Sequence, residues 1–266
     1  MIPDSTIATI EPPDASPAAP PARREILGVR VDDLDWADAL ARIDGFLAAG
    51  GPHQVITPNP ELVLAARRNP AFRAAIEGAD LVTCDGVGLR WAGRLLSQPL
   101  RAVIPGSELI ERMAERGAAR GERWFLLGGA EGVAEVVGRV LAGRYPGLVI
   151  AGSHAGSPRP DAAEAILRRI EAAGPIDALF VAYGSPAQEL WIAEQQPRLR
   201  IPVAVGVGGA FNFLAGRSRR PPEWVRRAGL IWLFRLLSEP WRWRRQLGLL
   251  RFVLLVFGAR LRGADA

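Results

Sequence analysis

Short β-rich runs alternate with helical segments along most of this chain. In chain order the runs are ILGVRV, HQVIT, ADLVTC, RWFLLG, GLVIAG, DALFVAYG and PVAVGVGG, and the segments between them are rich in Ala, Arg, Leu and Glu. Strands that alternate with helices in this way build βαβ units, which place parallel strands in one sheet with helices on its faces. The pattern therefore predicts an α/β fold with a Rossmann-like, mainly parallel sheet and flanking helices, whose ligand crevice lies at the carboxyl ends of the strands.

The two ends of the chain differ in composition from this middle part. The first 22 residues hold six prolines and lack a basic segment followed by an apolar one. They predict a disordered, proline-rich leader over residues 1–24 rather than a signal peptide. The α/β core is predicted over residues 25–215, and a basic, helical C-terminal appendage over residues 216–266.

The appendage contains the excess positive charge of the protein. Residues 216–266 carry 12 arginines against three acidic residues, whereas the rest of the chain has 21 arginines and 25 acids. Arginine binds phosphate through paired hydrogen bonds and tryptophan favours the membrane interface, so this Arg/Trp-rich segment suggests contact with anionic lipid or a diphosphate. A solvated helix pair with a few packing tryptophans is the alternative.

An apolar run over residues 247–259 lies within the appendage. It is interrupted by Arg251, and it is shorter than the ~20 residues that a membrane-spanning helix needs. It predicts a helix that lies in the membrane interface or a packed terminal helix.

The remaining composition narrows the chemistry. All 33 basic residues are arginine, so no lysine is present to form a Schiff base or anchor a phosphate. Because Cys84 is the single cysteine, an internal disulfide is excluded, and a cytoplasmic location is favoured. A buried cysteine in a strand is a better interpretation of Cys84 than a nucleophile. His53 and His154 lack metal-ligand spacing, and the sequence predicts no metal, no cofactor and no nucleic-acid partner.

Polar residues follow two of the predicted strands. Thr57 and Asn59 follow HQVI where a helix should begin, so each can cap that helix or offer a hydroxyl or amide group to a sugar or base. Asp85 follows ADLVTC and precedes Gly86, and it is either another helix cap or a general base at a strand terminus. Both interpretations remain open for all three residues.

Glycine-rich turns connect later strands to helices. Gly128 and Gly129 can seat a phosphate on backbone N–H groups or allow close packing of helix on strand, and the acid that a dinucleotide site would place about 20 residues later is missing. Gly184 and Gln188 belong to a second turn, where Gln188 can reach back over the strand ends. For Ser185 and Glu189 of the same turn, a capping or surface role fits as well as a role in the site. Gly208 of the last turn is a further candidate contact for a ligand.

Seven segments together resemble the WecG/TagA/CpsF family of bacterial glycosyltransferases over roughly residues 26–245. They are TPNPE, ADLVTCDGVG, PGSEL, FLLGG, GSPAQELW, GVGGAFNFLAG and WLFRLLSEPWRWRR. The resemblance implies an inverting, metal-independent enzyme of exopolysaccharide or other cell-surface polysaccharide synthesis. It would move N-acetylmannosamine or another hexose from a UDP-sugar to an undecaprenyl-diphosphate-linked acceptor. It also implies peripheral attachment to an anionic membrane surface at the cytoplasmic face of the inner membrane.

The resemblance also assigns roles to individual residues. It implies that Asp85 is the general base and that Thr57, Asn59 and Gln188 line the site. Arginines of the appendage would complete the site, and these are Arg235, Arg242 and Arg245. The chain departs from the family pattern at Val103, where a basic residue is common and Arg101 is the nearest replacement, and at Asn212 and Ile231.

Two other classes of function remain at this stage. If the chain were a nicotinamide-dependent oxidoreductase, LLGGAEG would be its cofactor-binding turn. This sequence, however, lacks the acidic residue that would bind the ribose of the cofactor. A non-catalytic membrane adaptor would need only the basic appendage and an inert α/β platform. The sequence does not decide between a monomer and a homo-oligomer.

Overall fold

The apolar runs form a six-stranded parallel sheet in the computed structural model. The structure describes residues 20–218, 222, 225, 233–234 and 243–264, with the side chains of 247–262 in the last range. Most of the predicted leader, residues 1–19, lies outside the described residues. The strands of the sheet are β3 (His53–Ile56), β4 (Leu81–Val82), β5 (Arg123–Gly128), β6 (Val149–His154), β7 (Ala178–Ala182) and β8 (Val203–Gly206).

The strand order is β4-β3-β8-β7-β5-β6, and each neighbouring pair is parallel. The chain continues from β3 to one edge of the sheet and from β5 to the other, while β7 and β8 lie between them. Strand ends at such reversals of direction leave a crevice for a ligand. This arrangement confirms the predicted Rossmann-like α/β fold.

The first β-rich run differs from the prediction. ILGVRV does not form one strand of the sheet but contributes to an antiparallel hairpin of β1 (Ala22–Ile26) and β2 (Val29–Asp33). Leu27 and Gly28 both have positive φ, 53° and 80°, which is the backbone of a two-residue hairpin turn. Residues 22–24, which were assigned to the leader, belong to β1, where they pair with β2, and Arg24 also forms an ion pair with Asp33 at 3.2 Å.

Helices cover both faces of the sheet. They are α1 (Trp36–Ala49), α2 (Pro60–Ala66), α3 (Pro70–Gly78), α4 (Val87–Leu95), α5 (Gly106–Ala118), α6 (Val133–Arg144), α7 (Pro160–Ala172), α8 (Ala187–Leu199), α9 (Ala210–Leu214) and α10 (Trp243–Ala264). Side chains alternate along each strand, so α1, α5 and α6 pack on Trp124 and Phe180 of one face, and α7 and α8 pack on Phe125 and Leu179 of the other.

The hairpin is joined to the edge of the sheet by a buried ion pair. Arg30 donates to both carboxylate oxygens of Asp32, at 2.9 and 3.0 Å, and Asp32 accepts the backbone N–H of Val82 on β4 at 2.9 Å. The two charged side chains form hydrogen bonds with each other, and Asp32 also pairs with a backbone N–H of the edge strand, so their role is structural.

Strand β6 is longer than the sequence suggests. The predicted run GLVIAG ends at Gly152, yet β6 continues to His154. The aromatic ring of Phe125 on β5 lies where a side chain at position 152 would be, 2.6 Å from an added Cβ. Glycine is therefore needed for the close approach of the two strands.

Among the described residues, helix α10 packs along one side. Its contacts are with α2 and α4, and Phe252 and Val256 are fully buried there in a cluster that also contains Leu64 and Leu89. Within the part of the chain that the structure describes, no helix is long and apolar enough to cross a membrane.

Candidate functional site

Three chain segments meet where β3 and β8 end. Gly106, the first residue of α5, lies so close to both strand ends that an added Cβ would be 3.0 Å from Thr57 Oγ1 and 3.7 Å from the carbonyl oxygen of Gly206. Thr57 is buried. The N-terminus of a thirteen-residue helix thus points at the carboxyl end of the sheet beside a threonine hydroxyl, an arrangement that favours an anionic ligand group.

Asp85 lies beside this junction. Its backbone N–H donates to the carbonyl of Pro58 at 2.9 Å, which connects the loop after β4 to the loop after β3. Asp85 does not take the N-cap position of α4: that residue is Gly86, with φ of 104° and no side-chain cap hydrogen bond. The half-buried carboxyl group of Asp85 is therefore positioned at a strand end without the capping geometry that was its alternative.

Asn59 caps a helix in the structure. Its side-chain carbonyl accepts the N–H of Leu62 at 3.0 Å, and Pro60 occupies the first turn of α2. This geometry matches the capping interpretation, in which the amide orients the loop that contains Thr57. A contact between Asn59 and a substrate stays a prediction.

Gln188 reaches over the strand ends, as the sequence predicts. It is buried in the first turn of α8, and its amide lies over Gly206, where an added Cβ would be 2.7 Å from Nε2. Its carbonyl oxygen accepts the backbone N–H groups of Gly184 and Gly208, at 3.1 and 3.0 Å. Gln188 therefore joins the turns after β7 and β8 immediately beside the Thr57 junction.

Gly128 and Gly129 are engaged with the neighbouring strand. An added Cβ at Gly128 would lie 2.7 Å from the backbone of Ala182, and the N–H of Gly129 donates to the carbonyl of Ala182 at 3.1 Å. Both glycines have positive φ. This geometry agrees with the close-packing alternative, while phosphate binding by these two residues stays a prediction.

The surroundings of Cys84, His53 and His154 favour structural roles for these three residues. Burial raises the pKa of Cys84 to about 12, and the neighbouring Asp85 carboxylate adds to the increase. A thiol with this pKa is a weak nucleophile near neutral pH. Nδ1 of His53 lies 3.1 Å from Asp80 Oδ1 at the amino end of β3, and His154 contacts Arg169 at the end of the edge strand β6.

Only some of the arginines that were predicted to contact the substrate lie within the described part of the chain. Arg235 and Arg242 lie outside the described residues, as do Ile231 and the side chain of Arg245. The guanidinium group of Arg101, the nearest substitute for a charge at Val103, forms ion pairs with three acids of the hairpin end and α1. These acids are Asp33, Asp35 and Asp38. Val103 packs against the cluster that contains Phe252.

No cluster of three or more His, Cys, Asp or Glu side chains suitable for a metal ion occurs among the described residues. The polar groups at the strand ends that a ligand could use are the Thr57 hydroxyl, the Asp85 carboxyl group and the backbone N–H groups at the start of α5. Such a set suits a sugar with a phosphate, because it supplies acceptors for sugar hydroxyls and donors for anionic oxygens.

Comparison with known proteins agrees with this geometry. The sequence model of the glycosyl transferase WecG/TagA/CpsF family matches residues 24–266. The chain belongs to this family. The match confirms the resemblance drawn from the seven segments, and it places the protein among glycosyltransferases rather than nicotinamide-dependent oxidoreductases.

Two relatives illustrate how similar the chain is to other proteins. An N-acetylglucosaminyldiphosphoundecaprenol N-acetyl-beta-D-mannosaminyltransferase of Bacillus spizizenii is 36% identical over 203 residues, covering 76% of this chain and 77% of the relative. A protein of the same name from Staphylococcus aureus strain MRSA252 is 32% identical over 226 residues, covering 84% and 87%.

Sequence reasoning missed three residues around the site. Gly106 was not assigned, although Pro105 before it is a usual sign of a helix start. Gly206 lies under Gln188, and Glu189 accepts a hydrogen bond from the Gln188 amide. The roles of Gly106 and Gly206 depend on contacts between distant segments, whereas Glu189 bonds to Ser185 and Gln188 in its own turn, a pattern that the sequence does not distinguish from an ordinary helix start.

Proposed function

We propose that this chain is an inverting glycosyltransferase that moves N-acetylmannosamine or another hexose from a UDP-sugar to a sugar linked to undecaprenyl diphosphate. The names of the two relatives support this acceptor and this sugar. The observation that carries the proposal is the meeting of Thr57, the Asp85 loop and the Gln188 turn at the carboxyl ends of β3, β4 and β8.

The proposed reaction is a single displacement at the anomeric carbon. Asp85 removes the proton of the acceptor hydroxyl as its oxygen bonds to that carbon, and the bond from the carbon to the diphosphate oxygen breaks. UDP leaves with the electron pair, so the anomeric configuration inverts. Proton transfer of this kind contributes ~10²- to 10⁴-fold in rate.

Fixed dipoles would stabilise the departing diphosphate. The N-terminus of α5 lies beside Thr57, and α8 begins at the turn that contains Gly184 and Gln188. Backbone N–H groups at helix N-termini favour anionic oxygens without reorganising during the reaction. The family resemblance adds Arg235, Arg242 and Arg245, which we propose close over the diphosphate from the appendage.

Activity is expected to survive chelation. Helix N-termini and appendage arginines supply the positive charge that a divalent ion would otherwise bring, and the family resemblance implies the same mechanism. Transfer rates measured before and after dialysis against EDTA should agree within error. Loss of transfer on chelation, with recovery on adding magnesium or manganese, would contradict this part of the proposal.

We further propose that α10 and α4 form the surface that rests on the membrane. Five apolar side chains of α10 form an exposed row, between 48% and 68% accessible, and they are Leu247, Leu250, Leu254, Phe257 and Leu261. Trp91 of α4 continues this row through an edge-to-face contact with Phe257, 5.8 Å between ring centroids. The exposed Arg251, Arg260 and Arg262 lie on the same helix and suit anionic headgroups.

This surface is close to the candidate base. Val87, which is 43% exposed, is the first residue of α4 and follows Asp85 by two positions. An enzyme resting on this surface at the cytoplasmic face of the inner membrane would present its strand ends near the headgroups. A lipid-linked acceptor could then reach Asp85 while its hydrocarbon chain stays in the bilayer.

Replacing both Leu250 and Leu254 by serine is expected to weaken binding to vesicles that contain anionic lipid, since both side chains are exposed and available for insertion. Co-sedimentation measures the binding, and thermal unfolding should be nearly unchanged. Val149→Ser, at an exposed apolar position on the edge strand β6, is the matched control. Equal binding by the double variant and this control would refute the proposed surface.

A screen of UDP-sugars with an undecaprenyl-diphosphate-linked N-acetylglucosamine acceptor, with the product detected by mass, tests the proposed reaction directly. The expected product is heavier by one sugar residue, and its glycosidic linkage has the anomeric configuration opposite to that of the donor. A chain that binds vesicles but neither binds any UDP-sugar nor forms product would instead be a membrane adaptor.

A further inference from the structure

The side-chain amide of Gln188 has no hydrogen-bonding capacity left for a ligand. Its carbonyl oxygen accepts two N–H groups, from Gly184 and Gly208. Its nitrogen donates to Glu189 Oε1 at 2.8 Å and to Ser185 Oγ at 3.3 Å. A primary amide offers two lone pairs and two donor hydrogens, so all four positions are filled.

These bonds join two separate turns. Gly184 follows β7 and Gly208 follows β8, and both have positive φ, 81° and 46°. The two backbone N–H groups point at the single oxygen of Gln188. Without that oxygen both groups would lose their acceptor, and the two turns would lose the bond that sets their spacing at the strand ends.

Glu189 determines which way the Gln188 amide faces. Its side chain is buried, and Oε1 accepts from both Gln188 and the hydroxyl of Ser185, the latter at 2.6 Å. If the amide were rotated by half a turn, its oxygen would face this carboxyl oxygen and its NH₂ would face two N–H donors. The acceptor at Glu189 thus selects the orientation that serves Gly184 and Gly208.

The carboxyl group of Glu189 is a costly way to fill this position. Burial raises its pKa, and Oε2 has no hydrogen-bond partner in the structure. Burying a polar oxygen without a hydrogen-bond partner costs free energy, and an apolar side chain at this position would avoid that cost. A carboxyl group at this position is therefore better explained by the orientation it imposes on Gln188 than by packing.

We propose that Glu189 is a positioning residue that acts through Gln188, and that Ser185, Gln188 and Glu189 together form a brace that preorganises the turns after β7 and β8 for the donor diphosphate. The brace itself stands on the geometry of the described residues. The ligand that it serves rests on the proposed glycosyltransferase function.

The first test is a double-mutant cycle on kcat/KM for the UDP-sugar. Glu189→Leu removes the acceptor and is expected to lower kcat/KM about tenfold or more, the size of effect that leaving a buried hydrogen-bonding group without its partner produces. Glu189→Gln keeps a carbonyl acceptor and should recover part of the loss. In a Gln188→Ala background, Glu189→Leu should have no further effect, because a residue that acts through Gln188 has nothing left to orient.

Glu194→Gln is the matched control, since Glu194 is exposed on the same helix and should change nothing. Ser185→Ala is the second variant if Glu189→Leu does not fold, and it should lower kcat/KM only when Gln188 is present. Independent, multiplicative effects of Glu189→Leu and Gln188→Ala would overturn the proposal.

The second test needs no activity. Amide hydrogen exchange of Gly184 and Gly208, followed by NMR, should accelerate in both Gln188→Ala and Glu189→Leu and stay as in wild type in Glu194→Gln. Unchanged exchange at these two glycines in Glu189→Leu would refute the positioning role. If the wild-type protein transfers no sugar, the proposed function fails, while this measurement still decides whether the brace exists.

Discussion

Asp85→Asn is expected to lower sugar transfer by about 10²-fold or more, the lower range for loss of a general base. An amide has nearly the size of the carboxyl group but cannot accept the proton of the acceptor hydroxyl. The backbone N–H of Asp85 donates to Pro58, and the substitution leaves this bond in place. The variant should therefore bind UDP-sugar like the wild type and unfold at the same temperature.

Initial rates with saturating donor and lipid-linked acceptor measure the effect, and calorimetric titration measures donor binding. Asp161→Asn is the control, since Asp161 is exposed in the first turn of α7, which follows β6 at the opposite edge of the sheet from β3 and β4. A turnover within a few-fold of wild type in Asp85→Asn would remove this residue from the role of base. A parallel loss of donor binding would indicate instead that Asp85 holds the sugar.

Phe252→Ala is expected to lower the free energy of unfolding by ~3–5 kcal/mol, the usual cost of removing a fully buried aromatic side chain. The side chain of Phe252, on α10, is completely inaccessible to solvent and packs against apolar residues of α2 and α4. Its loss would leave a cavity that the surrounding helices can fill only in part. Denaturant unfolding at equilibrium measures the change.

Phe257→Ala makes the same substitution about one and a half turns further along α10, where the ring is 48% exposed. It should cost at most about 1 kcal/mol, from the lost ring contact with Trp91. Equal and small effects at the two positions would mean that α10 does not dock on the core. The same packing predicts that truncation after Ala215 destabilises the core, because removing α10 would expose apolar surface of α2 and α4.

The sequence could predict what depends on local pattern. Alternation of β-rich and helical segments gave the parallel sheet, and the polar residues after HQVI and ADLVTC marked its carboxyl end. The Asn59 side chain, followed by Pro60, forms the helix cap that its type and position favour. The excess of arginine and the interrupted apolar run predicted a non-spanning terminal helix, and α10 has this character.

Tertiary contacts decided the remaining features. The run ILGVRV forms a hairpin, with a turn at Leu27 and Gly28 where φ is positive. Position 152 needs glycine because the ring of Phe125 lies against it. The exposed and buried sides of α10 became distinct only when α2 and α4 covered Phe252. Glu189 matters because it orients Gln188, whose oxygen accepts the N–H of Gly208. Gly208 is 19 positions beyond Glu189 in the chain and reaches Gln188 only because β7 and β8 are neighbours. Hydrophobic periodicity is a local property and predicts elements, whereas the hydrogen bonds that orient a site join residues that only the folded sheet brings together.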